Sequence, residues 1–536
     1  MFHTQQIDTD RAGAAPMASF SVVAGFSAGA RRRAPFLRLA AAVSALALLA
    51  GCELGPNFQR PAAPAVQGYT PEPLAAKTAV AGVAGGAAQH FAPGGDIPGQ
   101  WWELFHSPAL NGLIEQALAK NPTLQSAQAA LREAQENLYA EEGGLGPTAN
   151  GNAGATRESA SPASLGEAGP AKTFDLYNAS VGVSYSLDLF GGGRREVESL
   201  AATAEFQRFE LEASYLSLTA NVVTAAVQEA SLRAQIAATG DILHIEGQQL
   251  DIIQRQFALG GASKADELAQ EAQVAQTAAI LPPLEKQLAQ VRNQLSALGG
   301  RLPSEGQGAG GEFDLGSLHL PQDLPVSLPA QLVAQRPDIR AAAAELHETS
   351  ALIGVATANQ LPQITLTGNY GSESNRLGKL FSSGTGVWSL GGSLLQPIFN
   401  GGELRHEKRA AVAAYDKAAA DYRTAVLTAF QNVADSLRAL QYDADALAAD
   451  AAAERAASAS LDISREQLRS GAITYQSLLT AERAYQQTRI TLVQAEAARY
   501  ADTAALFQAL GGGWWHRHDI APHQLDALPA LLGPTK

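Results

Sequence analysis

Twice along the chain the spacing of apolar residues changes period, and both changes fall at the same short motif. From residue 177 to 189, Tyr177, Ala179, Val181, Val183, Tyr185, Leu187 and Leu189 hold one parity. Asn178, Ser180, Gly182, Ser184, Ser186 and Asp188 hold the other. This alternation predicts a β-strand with one apolar and one polar face. Such a strand suits either a sheet lying over a core or the wall of a membrane barrel.

At Phe190-Gly191-Gly192 the period lengthens. From Arg194 to Leu259 there is no proline, and apolar residues recur at alternating steps of three and four. Of eighteen positions on that register, from Val197 to Phe257, fourteen are apolar; Arg208, Glu229, Thr239 and Glu246 are the exceptions. A repeat of 3.5 residues held this long predicts a supercoiled helix. About 66 helical residues would reach about 100 Å. Gly240 and Gly247 weaken it locally, by roughly 1 kcal/mol each relative to Ala.

Around these segments the chain is punctuated. Residues 52–100 are rich in Pro, Ala and Gly and predict an extended tether. A helical pattern runs from Trp101 to about Glu142, and a polar, Gly- and Ser-rich stretch follows to about Pro170. After a turn at Gly260-Gly261, a return helix is expected over about 263–298, kinked at Pro282-Pro283. A Pro- and Gly-rich linker covers about 301–327.

The second half repeats the order: helix over about 329–360, a strand around Ile364, Leu366 and Tyr370, and another over about Val387–Phe399. A long helix over about 403–469 and a return helix over about 474–510 complete it, leaving a tail from 514. "NPTL" at 121 echoes "RPDI" at 336, Phe190-Gly-Gly echoes Phe399-Asn-Gly-Gly, Gly261-Ala262 echoes Gly471-Ala472, and "ALGG" recurs at 297 and 509. The offsets are 215, 209, 210 and 212, so residues 101–300 and 328–513 read as tandem copies of one helix–strand–strand–long-helix–helix unit. Four strands cannot close a barrel, for which about eight is the practical minimum. A sheet facing lipid cannot leave its edges open, so several chains would have to pool their strands.

Composition narrows the partners. The chain of 536 residues carries a net charge of −14 with no basic block beyond Arg31–Arg33, which argues against a nucleic-acid partner. Arg31, Arg32, Arg33 and Arg38 precede a short apolar run ending in Leu49-Ala50-Gly51-Cys52, the layout of an export signal over residues 1–51, with Met17 as an alternative start. Cys52 is the single cysteine, and its place directly after that run favours lipidation over a buried thiol. No covalent cofactor other than that lipid is expected.

Several stretches carry a family resemblance: "CELGPNFQRP" at 52, "WWELF" at 101, "QRPDIRAAAAEL" at 335, "QLPQITL" at 360, and the two Phe/Gly-Gly junctions. "GASKADELAQEAQ" at 261 and "SGAITYQSLLTAERAY" at 470 join them. The chain resembles TolC-like outer-membrane efflux proteins, in the lipoprotein branch that serves resistance-nodulation-division pumps. The resemblance implies an α+β fold of mainly long helices. It implies a homotrimer whose chains pool twelve strands into an outer-membrane β-barrel continuous with a periplasmic α-helical barrel. It also implies a periplasmic adaptor and an inner-membrane pump as partners, and acylation of Cys52.

On this reading Phe190, Gly191, Gly192, Phe399, Gly401 and Gly402 mark the membrane boundary, where strand becomes tunnel helix. The two hairpin turns form the periplasmic tip that meets the adaptor and sets the aperture: Gly260, Gly261, Lys264, Asp266 and Glu267 in the first, Arg469, Gly471, Ser477 and Thr480 in the second. Members of the family often place carboxylates just after the second turn. This sequence has Ser477 and Thr480 there, with Glu482 the nearest acid, which makes Asp266 and Glu267 the better aperture candidates. Lys264 and Arg469 have acids nearby to pair with.

Other motifs carry less. "GQGAGG" at 306 follows no strand and opens no helix, so it reads as linker rather than a nucleotide loop. His516, His518 and His523 read as a loose tail rather than a metal site. No nucleophile elbow, P-loop or zinc-protease motif occurs, and no enzyme is expected. A passive exit duct for small molecules is the leading reading. Its rivals are the channel of a one-step protein secretion system and a trimeric coiled-coil spacer without a pore.

Overall fold

A computed structural model describes residues 54–162, 168–306 and 312–517. The expected export signal and Cys52 lie outside the described residues, as do His518, His523 and residues 307–311.

Short, proline-started helices open each half. A 3₁₀ turn at Trp101–Phe105 leads into α1 (Pro108–Lys120) and α2 (Pro122–Gly144). Ser107 caps α1 by accepting the N–H of Leu110, and Asn121 caps α2 by accepting that of Thr123 at 2.9 Å. The single helix expected here is divided at Asn121, which is extended because a residue before proline is pushed out of the helical region. In the second half Arg336 before Pro337 divides α6 (Pro329–Gln335) from α7 (Pro337–Ala358) in the same way.

The long helices form as the heptad pattern requires. α3 spans Gly192–Ala258 and α8 spans Glu403–Arg469, 67 residues each. The return helix of the first half is two helices, α4 (Lys264–Ala278) and α5 (Leu281–Leu298). Pro282 and Pro283 therefore start a new helix rather than kink a continuous one. They occupy its first turn, where a missing N–H costs nothing. The second half has no proline there, and α9 (Tyr475–Ala509) runs unbroken. α2, α4 and α5 pack along α3, while α7 and α9 pack along α8, and α3 lies against α7 and α9.

The strands form one antiparallel sheet in the order β2 (Thr148–Ala160), β3 (Lys172–Leu187), β5 (Gln363–Ser374), β6 (Gly386–Leu395). β2 falls inside the stretch read from sequence as polar and Gly/Ser-rich. β6 stops at Leu395, short of the expected Phe399, because Pro397 cannot continue a ladder. Register puts Ala153 opposite Ala179, Val181 opposite Tyr370 and Tyr370 opposite Trp388. Directly opposed residues share a face. One face therefore carries Ala149, Ala153, Ala155, Val181, Val183, Leu366, Tyr370, Trp388 and Leu390. The other carries Asn150, Asn152, Asn178, Ser180, Ser184, Thr365, Thr367, Asn369 and Ser389.

The main core gathers where the proline-started helices meet the middle of α3 and α8. Trp101, Trp102, Phe105, Val222, Leu332, Leu437 and Phe507 are all buried there, and Trp101 stacks on Phe507 at 5.4 Å. Residues 54–100 run extended, as composition suggests, but they are docked rather than wandering. Arg195 Nε donates to the carbonyl of Leu54 at 3.2 Å, and Phe58 stacks on His347 at 4.5 Å. Tyr69 donates to the carbonyl of Ser327, and β1 (His90–Pro93) pairs in parallel with β4 (Asp323–Val326), inside the expected linker.

Candidate functional site

The sheet leaves its apolar face uncovered, and β2 and β6 are exposed on both faces. Tyr370 is 73% exposed and Trp388 72%, and Leu390 and Leu394 are also exposed, so no helix among the described residues covers them. The strands β2 and β6 are the edges of the sheet, and each pairs on one side only. An aromatic and aliphatic face with a polar opposite face and two open edges is a segment of barrel wall, not a soluble sheet over a core.

At both junctions with the long helices the chain turns through left-handed glycine. Gly191, at φ 77°, caps α3, and Gly192 is its first residue. Gly401 and Gly402, at φ 63° and 92°, precede α8. Any Cβ would strain these positions, which is the physical reason the motif recurs. Asp188 holds the first bend by accepting from Arg194 N at 3.0 Å and Nε at 3.2 Å. Phe190 is half-buried and Phe399 is exposed.

The opposite ends of the long helices close in two matching hairpins. In the first, Gly260 turns at φ 76° and Gly261 follows, and Ser263 caps α4 in a reciprocal box with Asp266. The Asp266 carboxylate accepts from Ser263 N at 3.1 Å and Oγ at 2.7 Å, so it closes the turn. Lys264 pairs with Glu267 at 2.7 Å and lies over the Phe257 ring. In the second, Gly471 turns at φ 74°, Thr474 caps α9, and Arg469 pairs with Glu466 at 2.9 Å. Ser477 and Thr480 are exposed: the Ser477 hydroxyl meets Thr474, and that of Thr480 donates to its own helix.

Behind the tips the two repeats are joined by a polar seam. Gln270, Gln273 and Thr277 on α4 are buried. Tyr475 donates to Gln270 Oε1, Arg483 Nε donates to Gln273 Oε1 at 2.6 Å, and Gln486 donates to Thr277 at 3.4 Å. Gln270 and Gln273 in turn donate to the backbone and side chain of Glu246 on α3, at 2.9 and 3.1 Å. Glu482, the acid nearest the second turn, is buried here rather than aimed into an aperture. Burial, reinforced by the like charge of Glu246 and opposed by Arg465, pushes its carboxyl up to about 7.

A family model described as Outer membrane efflux protein matches residues 113–301 and 328–512, the two repeats of the duplication. The chain belongs to the outer membrane efflux protein family. Its relatives include the pyoverdine export outer membrane protein OpmQ of Pseudomonas aeruginosa, 31% identical over 77% of this chain and 87% of that protein. The probable outer membrane lipoprotein SilC of Salmonella typhimurium is 29% identical over 88% and 98%. The Neisseria gonorrhoeae MtrE outer membrane channel, solved in its open state, superposes with a TM-score of 0.72 at 28% identity, covering 86% of this chain and 99% of that one.

As an outer membrane efflux protein, the chain is a wall element of a channel: strands at one end of the long helices and hairpin tips at the other. Among the described residues no helix is long and apolar enough to cross a membrane. The structure gathers the expected tip residues on two neighbouring hairpins. It does not bring their carboxylates together, since Asp266 and Glu267 serve their own turn. The seam residues Glu246, Gln270, Gln273, Tyr475 and Arg483 were not singled out from sequence as site residues. One signal was present: Glu229, Thr239 and Glu246, three of the four breaks in the heptad register, are the positions buried as polar contacts. Glu229 meets Arg292 at 3.0 Å, whereas Arg208 breaks the register because it faces solvent.

Proposed function

We propose that this outer membrane efflux protein is the exit duct of a tripartite efflux pump, a homotrimer that conducts small molecules passively. One observation carries this reading: a four-stranded sheet, apolar on one uncovered face and open at both edges, continues directly into two 67-residue helices. Three such sheets supply twelve strands, enough to close a barrel that one chain cannot. The long helices of the three chains continue it as a tunnel across the periplasm.

The names of its relatives, which include pyoverdine export and toluene efflux proteins, support small molecules as cargo. A duct adds no chemistry, so energy and selection belong to an inner-membrane resistance-nodulation-division pump. A periplasmic adaptor couples that pump to the tips formed by Gly260–Glu267 and Arg469–Thr480. The chain is read as having no enzymatic role and no cofactor beyond lipid. Residues 1–51 act as the export signal, 52–100 as the lipidated strap, 101–300 and 328–513 as the two repeats joined by 301–327, and 514–536 as a tail. Acylation of Cys52 is supported by its place after the signal and by likeness to SilC. Cys52→Ala should abolish incorporation of radiolabelled palmitate, and persistent labelling would refute the assignment.

Purified protein in planar bilayers tests the duct. Stable channels of uniform conductance are expected; their complete absence would favour a poreless spacer.

A further inference from the structure

The seam holds two carboxyls that the duct does not need. Glu246 on α3 is 1% exposed and Glu482 on α9 is 4% exposed. They come from different repeats, and each keeps one oxygen, Oε2, without a hydrogen-bond partner. Both line one cavity of about 10 Å³, room for a single water, together with Ile242, Leu461, Arg465 and Tyr485. Two buried carboxylates facing a space that small cannot both ionise cheaply, and keeping one of them protonated removes the cost. The cavity sits behind the tip. Glu482 is two turns into α9, and Glu246 is about 18 Å along α3 from its end.

We propose that Glu246 and Glu482 form a proton-binding joint: one proton kept on Glu482 beside Glu246 holds the α3–α4 hairpin against α9, and its release to water loosens the seam beside the channel tip. The inference rests on the duct reading and deepens it. Every element packed at the joint contributes to its balance. α3 brings Glu246, and α4 brings neutral Gln273 and Thr277, with Asp266 further toward the tip. α8 brings Arg465, which favours ionised Glu482, and α9 brings Tyr475, Tyr485 and Arg483, the last favouring ionised Glu246. Burial comes first for each acid and raises it, and Glu246 raises Glu482 further. Tyr475 is also pushed up, by burial and then by Glu482, Glu246 and Asp266, so it remains a hydrogen-bond donor to Gln270 throughout.

The sign follows from an acid raised in the closed state. With the joint open, Glu482 is solvated and ionises near its ordinary value; closed, it holds its proton to about pH 7. Closure is therefore fully favoured below about pH 4.5, weakens as pH rises, and levels off above about pH 7. Across that span the closed-to-open ratio should fall about 300-fold.

Single-channel recording of the full-length trimer between pH 4.5 and 8 tests this. Open probability of the wild type should rise with pH and flatten above about pH 7. Glu482→Gln, neutral at every pH, should stay at the low-pH value, and Glu246→Gln should move the midpoint to lower pH. A flat wild-type profile, or a wild-type profile retained in Glu482→Gln, would overturn the joint. So would a response to added sodium or calcium at fixed pH in place of the pH response, which would assign the cavity to a metal cation. Absence of conductance at any pH would instead count against the duct. Hydrogen exchange at pH 7.5 then judges the joint alone: peptides from Lys264–Ala278 should exchange more slowly in Glu482→Gln than in wild type, and equal rates would overturn it.

Discussion

At the residue scale, two glycines fix where the strap enters. A Cβ built on Gly55 would lie 2.6 Å from Gly354 Cα, and one on Gly354 would lie 2.6 Å from the carbonyl of Leu54 and 2.8 Å from Arg195 Cγ. Nothing larger than hydrogen fits between strap and α7, and buried Arg195 spans the contact from Leu54 to Asn57 Oδ1, at 3.2 and 2.7 Å. Gly354→Ala should cost about 1–3 kcal/mol of overpacking. It should also expose residues 54–60 to limited proteolysis; unchanged cleavage would mean the strap is held elsewhere. Asp502, half-buried beside Asp443, is a second acid that the fold raises. Burial, then Asp443 beside it, pushes Asp502 up to about 8, with Arg499 opposing. The folded chain keeps this proton while the unfolded chain gives it up, so stability is lost from about pH 4 up to about pH 8. Asp502→Asn removes the penalty and should raise Tm by about 1–2 °C more at pH 8 than at pH 5, by scanning calorimetry. An equal shift at both would refute it.

At the element scale, legibility followed the size of the apolar side chains. The long helices were readable because dozens of residues repeat one register. β3 was readable because its apolar, outward parity carries Tyr, Val and Leu. β2 has the same parity, but its apolar positions are Ala149, Gly151, Ala153 and Ala155, too small to stand out from the polar residues between them. The seam was hidden for another reason: Gln270, Gln273 and Thr277 are ordinary surface residues on a helix until a second repeat packs on them. The two faces of β6 offer a direct check of orientation. Leu390→Arg places a charge on the face read as lipid-facing, at a cost of about 2–4 kcal/mol near mid-membrane. It should deplete heat-resistant oligomers on gels, whereas Ser389→Arg next to it should assemble normally and alter ion selectivity. Equal depletion by both would reverse or void the face assignment.

At the scale of the whole molecule, the open edges decide how many chains are needed. Within one chain β3 and β5 lie between β2 and β6, so the two edges are about 14 Å apart across three strand spacings. That exceeds the Cα separation of about 7 Å beyond which a disulfide cannot form. Paired cysteines scanned along Thr148–Ala160 and Gly386–Leu395, in a chain carrying Cys52→Ser so that no other thiol is present, can therefore be bridged only between neighbouring chains. If three sheets close a ring, oxidation in membranes should give covalent dimers and trimers, and the ladder should stop at three. Bands continuing past three would mean edges that pair without closing, and bridges confined to monomers would mean that the sheet curls on itself. A ladder ending at three is the outcome that ties the duplicated Phe/Gly-Gly junction, through the four strands it delivers, to a closed pore.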